Sequence, residues 1–249
     1  MPMMESTTYH GYDVVDYYAP NPDYGTMEEF DSLVNACHEK DIKIIIDFVV
    51  NHTSSSNEWF KEALADESSK YREFYSIADK IPVEEKDSTY SSWRQDEETG
   101  MYYYAHYDKI MPDLNYNKQA VRDEIKNVAK FWLEHGVDGF RLDGSKEIDA
   151  DIKVTLSWWT EFTKFVADIN NEAFIVGENW TTEYAEVGRY YEAMPSSFNF
   201  IAADAILSMS KGQYIDIVEQ MNKMRERYTS KVESTDVNAI MIDSVMIGN

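Results

Sequence analysis

Two short apolar segments, each followed by a carboxylate, constrain the fold of this chain more than any other feature. The first covers 137–142 and leads into Asp143, and the second covers 173–177 and leads into Glu178. A long helical pattern separates them, so together they predict a β-α-β unit with parallel strands. Because parallel strands end at the same edge of a sheet, we expect Asp143 and Glu178 to lie side by side.

Carboxylates on neighbouring strand ends can lie about 5 Å apart, which is the separation between nucleophile and acid/base in a retaining glycosidase. Arg141 precedes Asp143 by two residues and therefore shares its face of the strand. A guanidinium at that position favours an ionised Asp143. In isolation, however, a strand-end Asp more often caps the next helix, and a strand-end Glu is more often only solvated.

Composition narrows the classes of partner. The chain has 249 residues and a net charge of −23, from 46 acidic and 23 basic residues. This charge repels phosphate backbones and excludes nucleic acid as an expected partner, whereas a neutral sugar polymer is not repelled. No run of about 18 apolar residues is present, so no membrane segment is expected. Neither a Gly-x-Gly-x-x-Gly nor a Gly-x-Ser-x-Gly motif occurs, and no organic cofactor is expected. The cellular location stays undecided.

Hydrophobic periodicity predicts alternating helices and strands. A helix is expected over 26–40, with Thr26 as N-cap and Glu29 completing a capping box. The apolar segment 42–50 predicts a buried strand. Segment 53–116 is polar and too long for an ordinary loop, which indicates a small inserted domain. Further helices are predicted over 118–135 (with Gly136 as the stop), 151–170, 181–193 and 211–228, and further strands over 197–202 and 237–247.

Repeated βα units give either a doubly wound sheet or a (β/α)₈ barrel. Only five strands are recognisable, which is few for a closed barrel. The polar residues at the strand ends nevertheless favour the barrel, whose catalytic face is built there. On the first of these strands they are Asp47, Asn51 and His52.

Five motifs in order resemble the signatures of the α-amylase family, glycoside hydrolase family 13. They are 9–13 (YHGYD), 47–52 (DFVVNH), 111–115 (MPDLN), 139–143 (GFRLD) with Lys146, and 177–180 (GENW). The resemblance implies an α/β fold, a partial (β/α)₈ TIM barrel with an inserted domain B after strand 3. The implied organisation is an N-terminal barrel segment over 1–52, domain B over 53–116 and a C-terminal barrel segment over 117–249.

The resemblance also assigns roles in a retaining hydrolase that cuts α-1,4-glucans such as starch and maltooligosaccharides. Asp143 is the expected nucleophile, Glu178 the acid/base, and Arg141 the third catalytic residue. Substrate contacts are expected from His10, Tyr12, His52, Lys146 and Trp180. The family has His after the lysine, where this chain has Glu147. This departure leaves the exact contacts on the leaving-group side open.

A calcium ion between barrel and domain B is the implied metal. Asn51 and Asp113 match the family's side-chain ligands, and the main-chain carbonyl of Glu147 matches a third. The alternative is that Asn51 and Asp113 only hydrogen-bond the loop backbone.

The resemblance leaves two matters as expectations. The first strands of the barrel are expected to precede Tyr9, and Asn249 is expected to begin the family's fourth signature. On that reading the chain is a fragment that is inactive alone. The rival functions are a same-family α-1,6-glucosidase, neopullulanase or transglycosylase, or a carbohydrate-binding homologue without catalysis.

Overall fold

The computed structural model describes residues 2–82, 92–191 and 193–212, with the single positions 216, 219 and 222. The strands in these ranges are β1 Met4–Ser6, β2 Val14–Pro20, β3 Ile45–Phe48, β4 Ile77–Ala78, β5 Trp93–Gln95, β6 Tyr102–Tyr104, β7 Gly139–Leu142 and β8 Phe174–Gly177. The α-helices are α1 Met27–His38, α2 Glu58–Ala65, α3 Gln119–Glu134, α4 Ile152–Ile169, α5 Tyr184–Tyr190 and α6 Phe200–Ser210.

A parallel sheet of three strands, in the order β3-β7-β8, carries the predicted catalytic residues. Asp47 of β3 pairs with Arg141 of β7, and Leu142 pairs with Gly177 at the end of β8. The ladder continues past the strand ends, because Asp143 N–H donates to Phe48 O and Glu178 N–H donates to Leu142 O. The three strands therefore deliver their polar residues to one edge, as the β-α-β pattern predicts.

Two smaller antiparallel sheets flank this one. Strands β1 and β2 pair with each other, and β4, β6 and β5 form a three-stranded sheet within segment 53–116. Strand β2 was not predicted. The assignment of 53–116 as a separate domain B, and of 1–52 and 117–249 as the two barrel segments, stays a prediction.

The helix ends follow their sequence signals. Thr26 and Glu29 form the predicted capping box at the start of α1, which satisfies otherwise unpaired backbone N–H groups. Gly136 follows α3 with a φ of +86°, the left-handed conformation in which helices commonly stop. None of the helices in the described ranges has an apolar stretch long enough to cross a bilayer.

Aromatic packing holds helix α4 against the parallel sheet. Phe162 of α4 lies 5.7 Å from Phe48 of β3, and Phe48 lies 4.7 Å from Phe140 of β7, measured between ring centroids. Trp158 and Trp159 of the same helix are fully buried. The polar edge of the sheet is therefore built on a rigid apolar base.

The strand predicted over 197–202 is wrong. Asn199 caps a helix there, because its side chain accepts a hydrogen bond from Ala202 N–H at 2.9 Å, and α6 begins at Phe200. Side-chain capping outweighs the short apolar alternation. Only Ser197 keeps strand character, in an isolated parallel bridge to Gly177. The predicted strand 237–247 lies outside the described residues, as does almost all of the predicted helix 211–228.

Candidate active site

One guanidinium joins the ends of all three parallel strands. Arg141 Nη1 lies 2.6 Å from Asp47 Oδ1 and 2.5 Å from Asp143 Oδ1, and Nη2 lies 2.7 Å from Glu178 Oε2. The strand register sets this arrangement, since Asp47 and Arg141 are cross-strand neighbours. Gly144 N–H also donates to Glu178 Oε2, at 3.2 Å. The predicted nucleophile and acid/base therefore meet on a single cation.

The cluster carries three carboxylates against one guanidinium, and all four side chains are at most 15% exposed. Burial raises the pKa of Asp143 to about 7; the Asp47 and Glu178 carboxylates add to this and Arg141 opposes it. Arg141 was expected to keep Asp143 ionised, but burial and the two carboxylates outweigh it. The cluster therefore retains a proton near neutral pH.

The excess of three carboxylates over one guanidinium predicts that Asp143→Asn stabilises the fold. The Asp143 pKa is about 7 in the folded chain against an ordinary value of 3.8. Between these two pKa values the folded state binds more protons than the unfolded state. The stability of the fold therefore decreases as the pH rises from about 3.8 to about 7. Above about pH 7 the neutral amide should stabilise by about 1–3 kcal/mol, and below about pH 4 by almost nothing.

Thermal unfolding of both proteins across this pH range measures the effect. Asp168→Asn is the control, because Asp168 is an exposed residue of α4 whose one ion pair among the described residues is with Lys164. Equal stabilisation by Asp143→Asn at both ends of the range would contradict the electrostatic explanation.

A cavity of about 700 Å³ opens in front of the cluster. It brings together every residue predicted for catalysis or substrate binding, with Glu147 from the predicted metal set. Tyr107, Asp108, Met111 and Gly144 complete the lining: together the cavity residues are His10, Tyr12, His52, Tyr107, Asp108, Met111, Arg141, Asp143, Gly144, Lys146, Glu147, Glu178 and Trp180.

His10 makes its hydrogen bonds to the described residues through one ring nitrogen, Nδ1. Tyr12 N–H donates to His10 Nδ1 at 3.1 Å, so Nδ1 is the acceptor and Nε2–H is the remaining donor. The two rings stack with centroids 5.8 Å apart. A donor and an aromatic face at one wall of the cavity are groups that recognise a sugar.

His52 uses both ring nitrogens within the protein. Nε2 donates to the Tyr12 carbonyl at 3.0 Å, and Nδ1 accepts from Asn51 Nδ2 at 3.3 Å. Burial lowers the pKa of His52 to about 4, so the ring is neutral at physiological pH. As observed, His52 fixes the Tyr12 loop to the end of β3, and its predicted contact with a sugar hydroxyl stays a prediction.

Residues after β7 and β8 line the side of the cavity on which the leaving group is expected. Lys146 Nζ lies 3.4 Å from Glu147 Oε1, which partly neutralises the lysine. Trp180 is 64% exposed at the rim and stacks on Phe200 at 4.8 Å. An exposed, supported aromatic ring offers a surface for a pyranose.

Asp47 and Tyr107 were not predicted as site residues. In the sequence Asp47 is a polar strand end and the first residue of the 47–52 motif, but its pairing with Arg141 depends on strand register. Tyr107 reaches the site from segment 53–116, and a Cβ on Gly144 would lie 2.4 Å from its hydroxyl oxygen. Gly144, with a φ of +48°, therefore gives Tyr107 room beside the loop that follows Asp143. No local signal identifies either contact.

The two predicted side-chain metal ligands, Asn51 and Asp113, are buried and carry oxygen donors. Asn51 Oδ1 is buried without a hydrogen-bond partner among the described residues. Burial raises the pKa of Asp113 to about 7, although its Oδ1 accepts from His106 N–H at 3.0 Å. These are hard oxygen donors of the type that Ca²⁺ binds. Among the described residues, no three His, Cys, Asp or Glu side chains form a ready-made metal cluster.

Comparison with known proteins places this geometry in a class. Most glycoside hydrolases use a pair of carboxylates, and the active sites of barrel enzymes lie at the carboxyl ends of the strands. The model of the alpha-amylase catalytic domain matches residues 1–249. The chain belongs to the α-amylase family.

The relatives are enzymes of several specificities. Alpha-amylase 3 of Dictyoglomus thermophilum is 43% identical over 92% of this chain and 44% of its own length. An oligo-1,6-glucosidase of Heyndrickxia coagulans is 40% identical over 54% of this chain and 25% of its own length. The crystal structure of an alpha-amylase from H. orenii gives a TM-score of 0.82 at 38% identity, covering 93% of this chain and 48% of that one. The chain thus spans less than half of these proteins.

Proposed function

We propose that this chain carries the catalytic site of a retaining α-glucan hydrolase that cuts α-1,4 bonds in starch and maltooligosaccharides. The observation that carries the proposal is the contact of both Asp143 and Glu178 with Arg141 at the sheet edge. The cavity in front supplies the His10 donor and the Trp180 ring. The similarity to alpha-amylases over more than nine-tenths of the chain supports the same substrate class.

In the proposed reaction Asp143 attacks the anomeric carbon while Glu178 protonates the glycosidic oxygen. A covalent glycosyl-enzyme forms, and Glu178 then deprotonates the water that releases the sugar. Glu178 must move away from Arg141 to act as the acid, because an ion-paired carboxylate has no proton to give. Asp143 must be ionised to attack, and the Arg141 guanidinium favours that form against the effect of burial.

Product stereochemistry tests the proposal. The full-length protein should release the α-anomer from a maltooligosaccharide before mutarotation, as recorded by proton NMR at early times. A double displacement by Asp143 requires this result. Release of the β-anomer would contradict the retaining mechanism. An Asp143→Asn preparation measured in the same way controls for contaminating enzymes.

The alternative within the family is an α-1,6-glucosidase, neopullulanase or transglycosylase. The similarity to an oligo-1,6-glucosidase over 54% of the chain supports this alternative. Incubation with starch, pullulan and isomaltose separates these activities, since faster cleavage of isomaltose than of maltose would replace the α-1,4 assignment. A non-catalytic sugar-binding homologue is disfavoured by the intact set of Asp143, Glu178 and Arg141.

We further propose that Ca²⁺ binds Asn51 Oδ1, the Asp113 carboxylate and the Glu147 carbonyl. Asn51 follows the barrel strand β3 and Asp113 belongs to segment 53–116, so the ion would tie the two together. Ligand binding to the folded state alone stabilises it, by about 2.7 kcal/mol at a hundredfold excess over Kd.

Chelation should therefore lower the melting temperature of the wild-type protein, and added Ca²⁺ should restore it. Asp113→Asn should show a much smaller calcium response, whereas the surface variant Asp168→Asn should respond as the wild type does. An identical melting temperature with and without chelator would leave Asn51 and Asp113 as loop-bracing residues only.

A further inference from the structure

A buried chain of three polar side chains lies behind the carboxylate pair. We call Ser145, Asn179 and Ser197 the Asn179 chain; their exposed fractions are 0%, 0% and 1%. Ser145 follows the predicted nucleophile by two residues, and Asn179 directly follows Glu178. Ser197 belongs to the segment that bridges to the end of β8. The Asn179 chain therefore links the three backbone segments at the reactive edge of the sheet.

Every hydrogen bond in the Asn179 chain has a defined direction. Ser145 Oγ–H donates to Asn179 Oδ1 at 2.9 Å, and Asn179 Nδ2 donates to Ser197 Oγ at 3.0 Å. Ser197 Oγ–H in turn donates to the Gly177 carbonyl at 3.0 Å. The side-chain amide of Asn179 therefore accepts from one serine with its oxygen and donates to the other with its nitrogen. Fully satisfied buried networks of this kind are rigid.

Both ends of the Asn179 chain are fixed. Trp159 Nε1–H donates to the Ser145 carbonyl at 2.7 Å, and Ser145 N–H donates to the Glu178 carbonyl at 3.2 Å. Gly177 leaves no space for relaxation, because a Cβ there would lie 2.2 Å from Met194 Sδ and 3.2 Å from Asn179 Nδ2. The backbone at Glu178 is therefore held from both sides.

We propose that Asn179 is a positioning residue that sets the acid/base Glu178 at its working distance from Asp143. The inference rests on the proposed function, in which Glu178 protonates the leaving oxygen. A displacement of about 1 Å can cost about 100-fold in rate. Loss of the Asn179 chain should therefore impair proton transfer before it impairs substrate binding.

The test compares two substrates that differ in their need for an acid. A maltooligosaccharide has a poor leaving group, whereas fluoride departs from α-maltosyl fluoride with little protonation. In the full-length protein, Asn179→Ala and Ser145→Ala should lower kcat on the oligosaccharide about 10–100-fold with little change in KM. The burst rate of fluoride release should fall less than about threefold. Glu178→Gln removes the proposed acid itself, so its relative losses on the two substrates are the reference for the Asn179 and Ser145 variants.

Ser196→Ala is the matched control. Ser196 is also buried, and its hydroxyl donates to the Ile175 carbonyl at 2.6 Å, outside the Asn179 chain. It should change both rates less than about threefold. Equal losses on both substrates in the Asn179 and Ser145 variants would show a structural role only and overturn the proposal. Unchanged rates in both variants would overturn it as well.

A separate readout distinguishes this proposal from the proposed function. A cationic iminosugar forms ion pairs with the catalytic carboxylates without turnover. Its Kd should rise about tenfold in Ser145→Ala and stay unchanged in Ser196→Ala. If the wild type binds it but cleaves neither substrate, the proposed function fails while this contrast still decides the positioning role. Equal Kd values in the two serine variants would overturn that role.

Discussion

Asp143→Asn is expected to lower kcat on maltooligosaccharides by about 10⁴-fold in the full-length protein, because an amide cannot form the glycosyl-enzyme. The amide keeps the shape of the carboxylate and can still contact Arg141, so substrate affinity should change little. The pocket residues that would bind the sugar are untouched. The loss should therefore lie in the chemical step.

Steady-state kinetics and calorimetric binding of an uncleaved oligosaccharide measure the two effects separately. The variant is expected to be more stable than the wild type above neutral pH, so unfolding cannot explain its inactivity. Retention of even a tenth of wild-type turnover would remove Asp143 as the nucleophile.

Arg141→Leu is expected to have the largest effect on stability. It leaves Asp47, Asp143 and Glu178 facing one another without a cation, and loss of one partner of a buried ion pair costs about 3–5 kcal/mol. Burial already raises the pKa of Asp143 to about 7 in the wild type, and the penalty includes its ionised form, so the penalty should shrink as pH falls below that value. Chemical unfolding across this range measures it.

Arg122→Leu is the matched control. Arg122 is as buried as Arg141, with 13% exposure of each side chain, but it pairs with the single carboxylate of Glu161, which is 31% exposed. Arg122→Leu should therefore lower the free energy of unfolding by less than Arg141→Leu does. A similar loss in both variants, with no difference in pH dependence, would show that the arginine side chain matters for packing rather than charge.

The features of the fold that depend on local sequence could be predicted. Thr26 and Glu29 define the start of α1 by themselves, and Gly136 defines the end of α3. The apolar segments before Asp143 and Glu178 were long enough to identify β7 and β8, and the helix between them required parallel strands. The cavity that gathers His10, Tyr12 and Trp180 with the carboxylates followed from that topology and from the family motifs.

The remaining features depend on contacts between distant residues. The role of Asp47 follows from the register of β3 against β7, which no local pattern encodes. The strand predicted at 197–202 was wrong because alternation over six residues is weak evidence once Asn199 can cap a helix. Strand β2 is specified by its pairing with β1, and Tyr107 reaches the site only through the path of segment 53–116.

The bond between Arg141 and Asp47 has a consequence for how the protein is made. The two residues are 94 positions apart, and synthesis at about 5–20 residues per second separates their appearance by about 5–20 s. Throughout that interval β3 is on the ribosome without β7, the strand that pairs with its edge and carries Arg141. Chaperone occupancy on nascent chains of increasing length should therefore be high while segment 53–116 emerges and should decline once β7 is released.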